Sequence, residues 1–275
     1  MKKIYRIVFV ALIGLLLSAC SSDNKNNDGF TVYKIGLNGS EHQAWELVNE
    51  KLESEGIRLE FVEFSDYVQP NIALKEGEID LNAFQTLIYF ENFCEERNYT
   101  DLSVLAYTQI APMGVYSSKY SSLDDLPNDK KIIIAIPNDV TNGGRAIKFL
   151  ESLGYIDVDP NAGLIPTVND ITKYNLNIEI FEMVATQIPR SLSDVDIAVI
   201  NNGVAYEAGL TIADDAIVYE DYRAENMENY WNIIAVRSED LEKEDFIKIK
   251  EAYNSPEVKD LIIEIFGGQS IPVWE

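Results

Sequence analysis

Two α/β lobes are what this sequence predicts, on three observations. From residue 31 onward, short β-rich runs alternate with helical runs that carry an apolar face, the pattern of parallel strands linked by crossover helices. That pattern runs to about residue 117, restarts, and then closes with a last strand and two helices, so the chain crosses twice between two layers of the same kind. No internal repeat of fixed period is present, which excludes a solenoid or propeller. The expected division places 31–117, completed by 223–275, in a first lobe and 118–222 in a second.

The elements follow in order. Lys2, Lys3 and Arg6 precede an apolar run from Ile7 to Leu17, which closes in Leu17-Ser18-Ala19-Cys20. The run is too short for a comfortable membrane span and has the shape of an export signal. A plain secretory signal or an uncleaved anchor also fits it. Small residues before a cysteine resemble a bacterial lipobox, however, so residues 1–20 are expected to end in a lipid-modified Cys20, carrying a palmitate-type acyl anchor. Residues 21–30, polar almost throughout, are expected to form a flexible tether.

In the first lobe, Val32–Leu37 reads as a strand and Asn38-Gly39-Ser40 as the turn into a helix with Ala44, Leu47, Val48 and Leu52 on one face. Gly56 stops it, and Leu59–Phe64 is the next strand. Asp66 is a candidate N-cap, Pro70 fits a first turn where its missing N–H does no harm, and Gly77 ends that helix. Ile79-Asp80-Leu81 is a short strand, Asn82–Gln85 a loop, and Tyr89, Phe90, Phe93 and Cys94 give the following helix its apolar face. Leu102–Tyr107 and Ala111–Tyr116 read as strands, the latter as the path out of this lobe.

In the second lobe, Lys131–Ile136 is an Ile-rich buried strand. The stretch Pro137–Ala146 reads as a loop leading into a helix over Ile147–Leu153. Asn177–Val184, Asp196–Ile200 and Ile217–Tyr219 are further strands, with a helix at Asn202–Ala208. Asn232–Arg237 is the last strand, followed by helices at Glu244–Tyr253 and Pro256–Phe266, the second capped by Ser255 with Pro256 at its first position.

Composition removes several classes of function. The chain has 275 residues, a formal net charge of −24 and 47% hydrophobic residues. Such an acidic surface repels phosphate backbones, so no nucleic-acid partner is expected. His42 is the single histidine, and the only cysteine beyond Cys20 is Cys94. No zinc-type spacing and no Cys/His pair with supporting context follows from that inventory, so neither a metal nor another cofactor is expected.

Candidate site residues fall in two stretches. Tyr67, Phe84 and Tyr89 come from neighbouring segments and could wall a small apolar slot, with Asn82, Gln85 and Thr86 at its polar edge. Tyr67 and Tyr89 read equally well as core aromatics; Phe84, in a polar loop, fits a core less well. In Asn142-Gly143-Gly144-Arg145, two glycines before a helix would let the backbone approach an anion, and Arg145 could add a bidentate bond to a carboxylate. The same residues can be a simple turn. The spacing is neither that of a Walker loop nor that of a dinucleotide fingerprint.

Both stretches resemble the methionine-binding lipoproteins that feed ABC importers. The resemblance is carried by Asp66-Tyr67, Gln69-Pro70-Asn71, Gly77-Glu78-Ile79-Asp80, Asn82, Phe84-Gln85 and Tyr89, and again by Ile136-Pro137-Asn138-Asp139, Thr141-Asn142 and Gly144-Arg145. It continues through Gln187–Leu192, Asp196–Asn201 and Asn232-Ile233-Ile234, covering essentially the whole chain after Cys20. One departure is visible: the family usually has a histidine after Phe-Gln, where this chain has Thr86.

The resemblance implies a periplasmic-binding-protein fold, with a ligand cleft between the lobes. It implies Arg145 as the clamp on a ligand carboxylate, with Asn142 beside it, Asn201 and Asn232 as amide contacts to the amino-acid head group, and Tyr67, Phe84 and Tyr89 around a thioether chain. A soft sulfur packs well against such rings. Asn201 is also readable as a helix cap and Asn232 as a strand-edge partner. As a cleft side chain, Arg145 is expected to add little to fold stability. The implied function is capture of methionine, or a close relative, for delivery to permease subunits. The protein would be anchored through Cys20 to the cell membrane or outer membrane, on the extracytoplasmic side. Alternatives are a methionine-containing peptide as ligand and, more remotely, an enzyme on the same scaffold. The residues brought forward bind but do not exchange protons at neutral pH, which argues against the enzyme. Thr86, smaller than a histidine, implies room for a water or a longer ligand.

Overall fold

A computed structural model of the chain describes residues 29–39 and 42–274. The expected export segment, Cys20 and tether residues 21–28 lie outside the described residues. Phe30 already belongs to the folded body, because the Arg58 guanidinium lies 4.1 Å from its ring centroid.

The chain opens with β1 (Thr31–Asn38), α1 (Gln43–Glu53), β2 (Ile57–Phe64), α2 (Gln69–Glu76), β3 (Leu81–Asn82), α3 (Leu87–Arg97) and β4 (Leu102–Ile110). It continues through β5 (Gly114–Tyr116), β6 (Ile132–Pro137), α4 (Val140–Ser152), β7 (Ile156–Val158), β8 (Ile171–Tyr174), β9 (Ile178–Met183), β10 (Ile197–Ile200), α5 (Asn202–Glu207) and β11 (Ala216–Tyr219). It ends with β12 (Trp231–Arg237), α6 (Glu244–Tyr253), α7 (Pro256–Ile265) and β13 (Ile271–Pro272).

The strands form two main sheets. The first has the order β13-β4-β12-β3-β1-β2 and the second β11-β5-β10-β6-β9, while β7 and β8 make a separate ribbon. The β1–β2 and β1–β3 pairs are parallel, as the alternation of strands and helices requires, and so are β10–β6 and β6–β9. The chain leaves the first sheet after β4 and returns from β11 to β12, which pairs antiparallel with β3 and β4.

Both sheets carry packing on both faces, which explains the near-continuous apolar runs of their central strands β6, β10 and β12. On one face of the first, Ile35, Leu37, Ile234 and Val236 meet Trp45 and Val48 of α1, Phe246 and Ile249 of α6 and Val258 and Ile262 of α7. On the other, Ile233 and Ala235 meet Ala73 and Leu74 of α2 and Phe90 of α3. In the second sheet Ile132, Ile134 and Ile136 point with Ile197 and Val199 toward Ile147 and Leu150 of α4. The intervening Ala135, Ala198 and Ile200 face Val204 and Ala205 of α5. This is the period-two alternation of a strand read directly in the packing.

Three local expectations are corrected. The run expected as a strand over Ala111–Tyr116 is the shorter β5, and it pairs with β10 and β11 of the second sheet. The chain therefore changes sheets between Ile110 and Gly114, within the run expected as the path out of the first lobe. Asp66 is not the N-cap of α2, whose cap position is Val68; its Oδ1 instead accepts from the N–H groups of Val68 (2.7 Å) and Gln69 (2.9 Å), a turn that sets up the helix. The helix expected from Ile147 starts at Val140, so Asn142-Gly143-Gly144-Arg145 is helical, not a loop. Asp139 caps it by accepting from Asn142 N at 2.9 Å.

Candidate ligand-binding cleft

The two glycines in α4 serve packing. A Cβ on Gly143 would lie 2.8 Å from the Pro137 carbonyl oxygen, and one on Gly144 would lie 2.7 Å from Ile165 Cα. Close approach of α4 to the end of β6 and to the 165–166 segment thus requires both positions to be bare. The helix is thereby seated so that Asn142 and Arg145, one turn apart, face the space between the two sheets.

That space is a cavity of about 950 Å³. Its walls include Tyr67, Phe84, Thr86 and Tyr89 from the first sheet's segments, Asn142, Arg145 and Asn201 from the second's, and Asn232 from β12. These eight of the ten candidates named from the sequence therefore meet around one cavity. Cys20 lies outside the described residues.

At one end the three rings form a triangle, with centroids 6.0 Å apart for Tyr67–Phe84, 6.1 Å for Tyr67–Tyr89 and 6.2 Å for Phe84–Tyr89. They are half-buried, as the wall of a slot would be and a core cluster would not. The Tyr89 hydroxyl donates to the Tyr67 carbonyl at 2.9 Å, which fixes the ring. Burial, followed by the Asp139 carboxylate, pushes both tyrosine hydroxyls above their usual range, so both are neutral at physiological pH.

Thr86 caps α3: its Oγ1 accepts from Tyr89 N at 3.4 Å, and its backbone bridges to Asn232. Asn82 and Gln85, expected at the slot's edge, are instead locked in a buried amide network with Asn71. Asn71 Nδ2 donates to Gln85 Oε1 (2.7 Å), Gln85 Nε2 donates to Asn71 Oδ1 (2.7 Å) and Asn82 Oδ1 (3.0 Å), and Asn82 Nδ2 donates to Asn71 Oδ1 (3.0 Å). Gln85 still borders the cavity, whereas Asn82 is fully buried beneath it. Mutual satisfaction of three amides is the condition on which such a network can sit in a core.

The polar end is set by pairings that sequence reasoning missed. Arg145 is 3% exposed and is clamped by Glu220, itself 7% exposed. Nε donates to both carboxylate oxygens at 3.1 Å, and Nη2 donates to Oε2 at 2.7 Å and to the Ala111 carbonyl at 3.1 Å. Glu220 Oε2 also accepts from Met113 N at 2.6 Å, and Tyr230 lies under the guanidinium at 4.5 Å. Arg145 thus ties α4 to the segment where the chain crosses between sheets, a set of contacts that speaks against the expectation that it adds little to fold stability. Nη1 is the nitrogen these bonds do not use. Asn142 Nδ2 donates to both oxygens of Asp139 (3.0 and 3.1 Å), Asn201 Nδ2 donates to Asn142 Oδ1 (2.7 Å), and Asn232 Nδ2 donates to the Gln109 carbonyl (3.2 Å). Among the described residues no group of His, Cys, Asp and Glu is arranged to hold a metal ion, and no helix is long and apolar enough to cross a membrane.

The sequence profile of the NlpA lipoprotein family matches residues 33–274. The chain belongs to that family. It is 38% identical over 269 residues to the D-methionine-binding lipoprotein MetQ of Escherichia coli K12, covering 96% of each chain. Among solved structures, a nutrient binding protein from Burkholderia cenocepacia bound to methionine superposes with a TM-score of 0.81 at 39% identity, covering 88% of this chain and 100% of that one. The substrate binding protein of a methionine transporter from Streptococcus pneumoniae gives a TM-score of 0.81 at 37% identity, with 89% and 96% covered. The fold is that of these substrate-binding proteins.

Proposed function

We propose that this chain is a lipid-anchored substrate-binding protein of an ABC importer, which captures methionine or a close relative in the interlobe cleft and delivers it to the permease without catalysing a reaction. The observation that carries the reading is a single cavity with an aromatic slot at one end and a guanidinium with three amides at the other. Methionine has matching ends: a polarizable thioether suited to the rings, and a zwitterionic head suited to Arg145, Asn142, Asn201 and Asn232. Family membership and the methionine-named relatives support the same ligand.

The lobes of the proposed clamp are 31–110 with 223–275, and 114–222, hinged at Ala111–Met113 and at the return to β12. This moves the first boundary from residue 117 to the segment where β5 changes sheets. Anchoring rests on the lipobox-like end at Cys20 and places the protein on the extracytoplasmic side of the cell membrane or outer membrane.

A second ligand reading, a methionine-containing peptide, is favoured by the cavity's volume. At about 950 Å³ it lies near the top of the range of about 300–1,000 Å³ typical of small-molecule sites.

Calorimetric titration with L-methionine, D-methionine and a methionyl dipeptide tests the reading. Saturable binding of at least one is expected, and binding of none of them overturns it. Cys20→Ser is expected to release the protein from membranes; retention after a high-salt wash would refute the anchor.

A further inference from the structure

Buried polar atoms without partners are scarce in folded proteins, and each asks for an explanation. Among the described residues, two of them, Asn201 Oδ1 and Gln109 Oε1, belong to residues that wall the cleft. Asn201 is part of the proposed head-group site. Gln109 has no assigned role.

The orientation of Asn201 is fixed by a relay. Asp139 can only accept, so it takes the Asn142 amide N–H groups and turns Asn142 Oδ1 outward. That oxygen takes Asn201 Nδ2 at 2.7 Å, which leaves Asn201 Oδ1 as the free acceptor. From the other side of the cleft, Gln109 sits at the end of β4. Its carbonyl is committed to Asn232 Nδ2 at 3.2 Å, and it lies opposite Pro272 of β13 in the strand register. Its side-chain oxygen is buried and unmatched. The residue two places on, Ala111, holds Arg145 through its carbonyl at 3.1 Å, which brings Gln109 near the polar end of the cavity.

We propose that Gln109 is a further specificity-determining residue of the cleft. Its Oε1 accepts a hydrogen bond from the ligand's α-ammonium group, with Asn201 Oδ1 accepting another from the opposite lobe. Both oxygens are closed to solvent without ligand, so the assignment includes a side-chain movement that turns them to the ammonium, and two acceptors on one nitrogen select for a free primary amine. An acylated nitrogen has one N–H and no charge, and could satisfy only one of them. The inference rests on the reading of the cleft as an amino-acid site, and it extends that reading to the state of the ligand's nitrogen.

Gln109→Met, close in shape and without a hydrogen-bonding amide, tests it against two probes, methionine and its desamino analogue 4-(methylthio)butanoate. Calorimetry should show methionine affinity falling roughly tenfold to a hundredfold, the loss of a hydrogen bond to a charged group. Affinity for the desamino analogue should change less than about twofold, because it never made that bond. Equal factors for both probes, or unchanged methionine affinity, would overturn the assignment. The melting temperature of ligand-free Gln109→Met gives a second readout. Since the oxygen is unpaired without ligand, the variant should melt at or above the parent, and a clear drop would mean that the amide is structural. A parent protein that binds no methionine would overturn the underlying reading, and this one with it.

Discussion

Arg145→Ala is the substitution that separates structure from binding in this cleft. The side chain makes two bonds from Nε and one from Nη2 to Glu220, one more from Nη2 to the Ala111 carbonyl, and stacks on Tyr230. Its removal leaves Glu220, 7% exposed, with Met113 N as its remaining hydrogen-bond donor among the described residues. Breaking a buried pair by deleting one partner costs about 3–5 kcal/mol, mainly because the other charge stays desolvated. For a chain of this size that lowers the melting temperature by roughly 6–20 °C. The same variant should lose about 2–5 kcal/mol of binding free energy for methionine if Nη1 meets the ligand carboxylate. The double variant Arg145→Ala/Glu220→Gln separates the two effects. Neutralising Glu220 should recover much of the lost stability and none of the affinity. Differential scanning calorimetry and isothermal titration give both numbers. If Arg145→Ala melts within about 1 kcal/mol of the parent, the ion pair is not the structural tie described here. If the double variant regains affinity, Arg145 is not a ligand contact.

Three further outcomes are expected. Gly144→Ala should destabilise by about 1–3 kcal/mol, read as a shift in denaturation midpoint, because its Cβ meets the backbone of Ile165 and no side chain can swing away; a neutral result would mean α4 can move off the 165–166 segment. Thr86→His should cost about 1 kcal/mol through loss of the α3 cap and should raise the ratio of methionine to methionyl-dipeptide affinity by filling the space beside Tyr89; an unchanged ratio would remove Thr86 from selectivity. Burial, followed by the carboxylates of Asp101 and Glu91, pushes the Cys94 thiol from 9.0 up to about 11. The neutral thiol's contribution to stability is therefore complete below pH 9.0 and lost on the way to about 11. Labelling that depends on Cys94, taken against Cys94→Ser, should be slow at neutral pH and climb across that window, and rapid labelling at pH 7 would contradict the burial.

Where local rules decide the backbone, the sequence was legible. Gly77 ends α2 in the left-handed region at φ 76°, and Pro256 opens α7 as its position suggests. The Ile-rich run at residues 132–136 is the buried strand it looks like. The start of α4 was not legible, because Gly143 and Gly144 argue against helix by about 1 kcal/mol each on local propensity. The contacts that outweigh this penalty, Pro137 O and the backbone at Ile165, are tertiary and leave no local signal. The sheet change at β5 was hidden for a related reason. Ala111–Tyr116 reads as one strand, and only the pairing of Gly114–Tyr116 with β10 and β11 shows where it is cut.

The residue types of the cleft were readable, but their partners were not. Glu220 lies 75 positions from Arg145, Asn142 lies 59 from Asn201, and Gln109 lies 123 from Asn232, separations over which spacing carries no information. Yet those partners decide what the cleft can hold. Arg145 arrives with its charge matched by Glu220, and Asp139 is bound by the Asn142 amide. A guanidinium so paired offers a carboxylate directed N–H bonds with little uncompensated charge, and Asn201 and Gln109 offer an ammonium oriented dipoles instead of a carboxylate. Such a site is suited to a ligand whose own charges cancel. A zwitterionic head group brings both signs at once and leaves none unpaired in a desolvated cleft, whereas a simple cation or anion would bring a charge that Arg145 and Glu220, already paired with each other, are not free to neutralise.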